Sequence, residues 1–240
     1  MSLIKLPLRV VTVKALTGLT YAGPAVFDSA IVPLEAKLAD EQGVPLLVVY
    51  TDDSHAHAHN VNAHDMAGFH PRINLTVHAA VATQISTTAS GQAVVIARAD
   101  EGLEATLDII EAQVLRVLQY GQGAWSNLWR TLALNVEDLH VRRGASARKG
   151  LRFAAREMVM SIKSHSDPLG EGLEYPWNDV IAAFQADQDL DGLAAVLSDF
   201  CTSQSTAPQW QKDLNVMGLD KASASALGFA TADGEDVVFS

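Results

Sequence analysis

The stretch INLTVHAAVATQI, residues 73–85, decides the fold class. Ile73, Leu75, Val77, Ala79, Val81 and Ile85 fall on odd positions, and Asn74, Thr76, His78 and Gln84 lie between them. Successive side chains of an extended backbone point to opposite faces, so a period of two predicts a half-buried strand. The run is long enough for that strand to project beyond a compact body.

Upstream, VPLLVVYT (44–51) is a continuous apolar run, which predicts a strand covered on both faces. Before it, YAGPAVFDSAIVPL holds short β-prone pieces among Gly23, Pro24 and Pro33, an irregular extended segment. PLRVVTVKALTGL (7–19) predicts a first helix, with Pro7 in its first turn, Leu8, Val11, Ala15 and Leu19 on one face, and Gly18 near its end. Downstream, STTASG breaks the long strand. A second helix over 101–119 follows, with Asp100 as N-cap and an apolar stripe of Leu103, Leu107, Ile110, Val114 and Val117. Trp125 and Trp129, four apart, predict a short helix whose tryptophans anchor the core. Residues 131–163 predict two strands joined by RRGASARKG, the second alternating Met158, Met160 and Ile162 with Val159 and Ser161.

After Ser164 the character changes. SDPLGEGLEYP reads as a linker, WNDVIAAFQAD and LDGLAAVLSDF as short amphipathic helices, and the end of the chain is weakly patterned. The expected architecture is therefore α+β: a mainly antiparallel sheet packed by two helices, with a long projecting hairpin. The expected division is a domain over 1–165 and a helical or irregular extension over 166–240, a small helical C-terminal appendage.

Composition narrows the function. A 240-residue chain that is 48% hydrophobic buries a real core without staples. A formal net charge of -11 argues against general binding to nucleic acid or anionic membranes, both of which need a cationic surface. The single cysteine, Cys201, allows no intrachain disulfide; its helical setting beside Phe200 predicts a buried, inert thiol and synthesis in a reducing place. The opening MSLIKLPLRVVTVKAL is too mixed for a secretory signal, and no apolar run approaches the roughly 20 residues of a bilayer span.

The stretch DDSHAHAHN (52–60) looks most like chemistry. His55, His57 and His59 share an every-other-residue spacing, and His64, Asp65 and His70 follow. Such a pair at a strand end is a legitimate zinc grip. A metallo-β-lactamase-like hydrolase would show His-x-His-x-Asp-His, but His59 and Asn60 stand where its most specific residues belong. An amidohydrolase-like barrel would need a strand–helix alternation that is missing. His78, His140 and His165 lie on separate segments without acidic partners at diagnostic spacing. Residues 52–70 have no usable period and read as a long loop or the tip of a protruding hairpin; His55, His57, His59 and His64 are thus metal candidates set against a solvated loop, and neither metal nor cofactor is expected. No nucleophile elbow, phosphate loop or dinucleotide fingerprint occurs, and no catalytic residue is assigned.

Arg142, Arg143, Arg148, Lys149, Arg152 and Arg156 crowd into fifteen residues of an otherwise acidic chain. With Phe153 the only interleaved aromatic, the strip lacks the stacking platform of a nucleic-acid site. It reads either as a solvated hairpin tip or as an interface that pairs with an acidic face, on a partner or on another copy. Gly144, Ala145, Ser146 and Gly150 predict a flexible strip.

Taken in order, AGPAVFDSAIVPLE, VPLLVVYTDD, the alternating strand, LEATLDIIEAQVLRVL and DLHVRRGASARKGLRFAAREMVMSIK resemble the tail terminator (tail completion) proteins of long-tailed bacteriophages, over about residues 5 to 165. The histidine-rich stretch and the residues after Ser164 exceed that pattern. The resemblance implies a structural virion protein, made in the bacterial host cytoplasm and not an enzyme. It would form a hexameric ring that caps the head-proximal end of the tail tube and ends its polymerisation. Its partners would be the tail tube protein and a head-completion or connector protein, with genomic DNA passing through an acidic lumen without specific binding. Another neck or tail component, and a metal-dependent hydrolase built on residues 55 to 70, are the alternatives.

Overall fold

The structure is a computed structural model that describes residues 3–29, 45–57, 70–84, 86–87, 93–94, 100–148, 151–168 and 175–202. Contacts divide the chain into two compact units, 1–167 and 168–240.

The first unit is built on seven strands: β1 (Val26–Asp28), β2 (Leu46–His57), β3 (His70–Gln84), β4 (Ser86–Thr87), β5 (Ala93–Val94), β6 (Ala133–Arg148) and β7 (Leu151–Ser164). Five of them form one sheet in the order β1-β2-β3-β7-β6, and β4 pairs with β5 separately. Only β1 and β2 are parallel; the other pairings of the sheet are antiparallel. The chain is an α+β protein, and the alternating run from Ile73 lies in β3.

One face of the sheet carries the apolar alternation. Val49, Val77 and Met158 stand in one cross-strand row, Leu75 and Met160 in another, Ile73 and Ile162 in a third. All of these are at most 2% exposed. On this face lie α1 (Lys5–Leu16) and α2 (Asp100–Tyr120), while α3 (Ala124–Leu132) packs on both helices and runs straight into β6. Helix α3 is the short helix expected around Trp125 and Trp129, and it rests on the two expected covers. Leu8, Val11 and Ala15 of α1 are buried, as are Leu103, Leu107, Ile110, Val114 and Leu118 of α2. Two stripe assignments shift: Leu118 takes the place expected of Val117, and Leu19 is exposed because α1 ends at Leu16. Gly18, at φ +74°, adopts the left-handed conformation that closes many helices, and its N–H bonds the Gly23 carbonyl. Trp129 is 2% exposed, so it anchors the core as expected, whereas Trp125 is half-buried. On the other face a smaller cluster, Ala25, Leu46, Val48, Ala80 and Ala155, packs with Phe27 and Tyr50. Burial of Leu46 through Val49 bears out the expectation that this run is covered on both faces.

Two boundaries moved. Of the two expectations for the histidine-rich stretch, long loop or tip of a protruding hairpin, its flanks follow the second: β2 continues past residue 52 to His57, which stands opposite His70 of β3. Asp52 and Asp53 form a bulge between Thr51 and Ser54, so the ladder absorbs an extra residue and goes on. Asp52 is held there by Thr76 Oγ1 at 2.9 Å and by Lys5 Nζ on its carbonyl at 2.9 Å. Likewise most of RRGASARKG is paired strand: Gly144 faces Ala155, Ser146 faces Phe153 and Arg148 faces Leu151. Small residues are poor strand formers alone, but a long partner strand supplies the hydrogen bonds and overrides that preference.

Helix α1 has no side-chain cap from its own residues. Its free N–H groups at Leu3 and Ile4 donate instead to the Asp167 carboxylate, at 2.8 and 3.1 Å. The exit of β7 is thereby tied to the start of α1, which explains why the first unit extends to residue 167. In the second unit, α4 (Trp177–Gln185) and α5 (Asp191–Thr202) bury Trp177, Val180, Ile181 and Phe184 of the first, and Ala194, Leu197 and Cys201 of the second. Replacing Asp167 by Ala should cost about 1 kcal/mol in denaturant unfolding, the usual worth of a helix cap, with little change in helix content by circular dichroism.

Candidate interaction surface

The β6–β7 hairpin gathers most of the charge that the sequence singled out. Arg143 and Arg156 stand directly opposite each other on β6 and β7, an arrangement that repels unless anions intervene. Helix α2 supplies them. Arg156 Nη1 donates to Asp108 and, at 2.8 Å, to Glu111; its Nη2 donates to Glu104 at 3.1 Å. Glu104 also accepts from Arg143 Nε at 2.7 Å and so bridges both strands. Burial works against the Arg156 charge, but hydrogen bonds to Glu111 and Asp108 and their negative charges outweigh it and hold the guanidinium above its ordinary value. Glu104, Asp108 and Glu111 flank the apolar stripe by one position, so they emerge where the helix meets the sheet edge.

The opposite face of the same strands carries a second cluster around Glu157. His78 Nε2 lies 3.0 Å from Glu157 Oε1, and the Tyr50 hydroxyl donates to the same oxygen at 3.4 Å. Arg142 Nη1 stands 3.9 Å from the other oxygen. The Tyr50 and His78 rings are 5.6 Å apart and tilted. The hydrogen bond with His78 holds the Glu157 carboxyl below its ordinary range against the opposing effect of burial, helped by the charges of His78 and Arg142 and by the Tyr50 hydroxyl. Burial first, then the charges of Asp52 and Glu157, pushes the Tyr50 hydroxyl up to about 12. At neutral pH Tyr50 therefore stays a donor. The cluster is an ion-paired polar row on a sheet face.

The interface residues assigned from sequence fall on different sides of this hairpin. Arg142 and Arg143 are neighbours on β6 and point to opposite faces, with side chains 67% and 65% exposed. Arg148 stands at the last pair of the ladder, and Arg152 is opposite Ala147 on one side and Thr83 on the other. Lys149 lies outside the described residues. Of the metal candidates, His55 sits exposed on β2 opposite Arg72 and His57 is paired in register with His70; His59 and His64 lie outside the described residues. Among the described residues, no group of three or more His, Cys, Asp or Glu is placed to hold a metal ion. No described helix is long and apolar enough to cross a membrane.

Sequence reasoning missed Tyr50, Glu157 and the α2 carboxylates. The i, i+4, i+7 spacing of Glu104, Asp108 and Glu111 was a usable signal. Tyr50 and Glu157 carried none, since 107 residues separate them.

The feature that this charge leaves open is the outer edge of β6. The strand is sixteen residues long and ends the sheet, and among the described residues no strand pairs with its far side. Leu134, Leu139 and Val141 are 45%, 37% and 37% exposed along it. Long, partly apolar edges are templates for pairing with another chain. A scan against protein-family models and a search of curated proteins each returned no match.

Arg156→Met should lower stability by about 1–3 kcal/mol, because three carboxylates lose a half-buried partner. Arg143→Ala, at an exposed pair, should cost less than about 1 kcal/mol. Chemical denaturation of both variants checks the contrast. Because the folded Glu157 carboxyl lies below its unfolded value, its contribution is present above the unfolded Glu range, about 4.3, and is lost as pH falls through the lower folded value. Glu157→Gln should therefore melt below wild type at pH 7, with the difference shrinking under acid.

Proposed function

We propose that this protein is a structural assembly component of a bacteriophage tail, a tail terminator that closes the head-proximal end of the tail tube as a ring. The observation that carries the reading is the long β6 edge, exposed from residue 134 to 144 apart from half-buried Val136, beside a hairpin whose charges are already organised by α2. A subunit that joins neighbours needs open backbone groups on a rigid support, and an edge strand braced by ion pairs supplies both. The order of the segments that resemble the tail terminator family supports the same assignment, as does the α+β core. In this reading the ring is a hexamer that meets the tail tube protein on one side and a head-completion or connector protein on the other. DNA crosses an acidic lumen without specific contact, consistent with the net charge of -11. The chain acts in the virion, carries no cofactor and catalyses no reaction.

Tails assembled without this protein should have tubes of uncontrolled length that fail to join heads, measured by electron microscopy and plaque yield. Tubes of normal length that join heads would overturn the assignment. Neutralising Arg142, Arg148, Lys149 and Arg152 together should reduce incorporation into tails several-fold while leaving the melting temperature nearly unchanged.

A further inference from the structure

The β6 edge has a self-complementary sequence. Residues 138–142 read Asp-Leu-His-Val-Arg: acid, apolar, His140, apolar, base. By their partners on β7, Asp138, His140 and Arg142 belong to the face that carries Glu157, and Leu139 and Val141 to the face that carries Arg156. We propose that the free protein is a twofold dimer in which β6 of one copy pairs antiparallel with β6 of a second, the axis passing through His140.

In that register each Asp138 meets an Arg142 and each Leu139 meets a Val141, twice over, with like faces on the same side. An isologous contact requires this self-complementarity, because every pair occurs twice. Directly opposed residues in a sheet interact most strongly, and opposite charges there stabilise while like charges destabilise. A parallel, in-register pairing would set Asp138 near its own copy and Arg142 near its own. Shifting the antiparallel register by one residue sets Leu139 against His140 and turns the faces over. The geometry of the strand supports the same window. Its two irregularities fall at Ala133/Asn135 and Val136/Asp138, and the ladder is regular from Asp138 onward. Bulges blunt an edge, so the stretch available for pairing begins at the residue where the complementary pattern begins. Among the described residues Arg142 meets Glu157 at 3.9 Å, a long contact, and its side chain is 67% exposed, so that it can reach a second partner. Among the described residues the strand at the other edge of the sheet, β1, is three residues long.

The dimer concerns the isolated chain and stands apart from the tail assignment. If both hold, the dimer covers the edge until assembly exchanges it for a ring contact.

The test is sedimentation of the full chain at neutral pH over a range of concentrations. Wild type should show a monomer–dimer equilibrium. Asp138→Arg alone and Arg142→Asp alone should each weaken it by about tenfold or more, because like charges then face each other at two places. The double variant, with both charges exchanged, should regain dimerisation to within a few-fold. His140→Cys should crosslink to its own copy under mild oxidation, and should fail to do so when combined with Asp138→Arg. A wild-type chain that stays monomeric or runs as a hexamer overturns the proposal. So does a dimer indifferent to Asp138→Arg, a double variant that does not recover, or a dimer in which His140→Cys forms no crosslink. None of these measurements depends on tails, so the dimer and the tail assignment fail separately.

Discussion

The antiparallel ladder between β3 and β7 is the constraint on which the rest of this protein depends. It pairs every residue from Arg72 to Gln84 with those from Lys163 to Leu151 and contains no bulge. The neighbouring ladders are interrupted, at Thr51/Ser54 on β2 and twice on β6. A one-residue slip in the central ladder would put Leu75 and Val77 on the face opposite Met158 and Met160, so burial of all four on one face locks the register of the whole sheet. The outer strands can then carry bulges, as they are aligned by a centre that has none.

From that register follows the separation of charge. Side chains of β7 alternate, so Arg156 points to the helices and Glu157, next in sequence, points away. Arg156 meets Glu104, Asp108 and Glu111 of α2, while Glu157 meets His78, Tyr50 and Arg142. Two adjacent residues of opposite sign thus avoid neutralising each other and fasten different elements instead. The first cluster pins α2 over the β6–β7 hairpin. The second links β2, β3, β7 and β6 across the other face. A sheet braced on both sides can hold the sixteen-residue strand β6 at its edge without losing its shape.

Much of this was legible in the residues. Period two over 73–81 and around Met158, and period 3.6 over 101–119, reflect burial of one side of an element, and burial leaves its trace in local order. Cys201 and Trp129 were read correctly as core for the same reason. The errors arose where long-range pairing overrides local preference. Gly144, Ala145 and Ser146 suggest a loop, and Asp52 through His57 suggest a polar excursion, yet each is drawn into a ladder by a partner strand distant in sequence. Nor does anything near Leu3 announce its cap, since Asp167 arrives from the far end of the unit.

By itself the sequence determined the class of fold, the two principal helices and the concentration of arginines in one hairpin. These are consequences of periodicity, composition and turn chemistry, all of them local. Only the tertiary structure decided which arginines are held and which face outward. That choice depends on register: the partner opposite each residue sets its face, and the helix above that face sets its charge. The same arginine-rich strip is therefore partly an internal clamp, through Arg156 and Arg143, and partly an open edge, through Arg142. Spacing along one strand cannot make that distinction, because it arises from strands and a helix brought together across the fold.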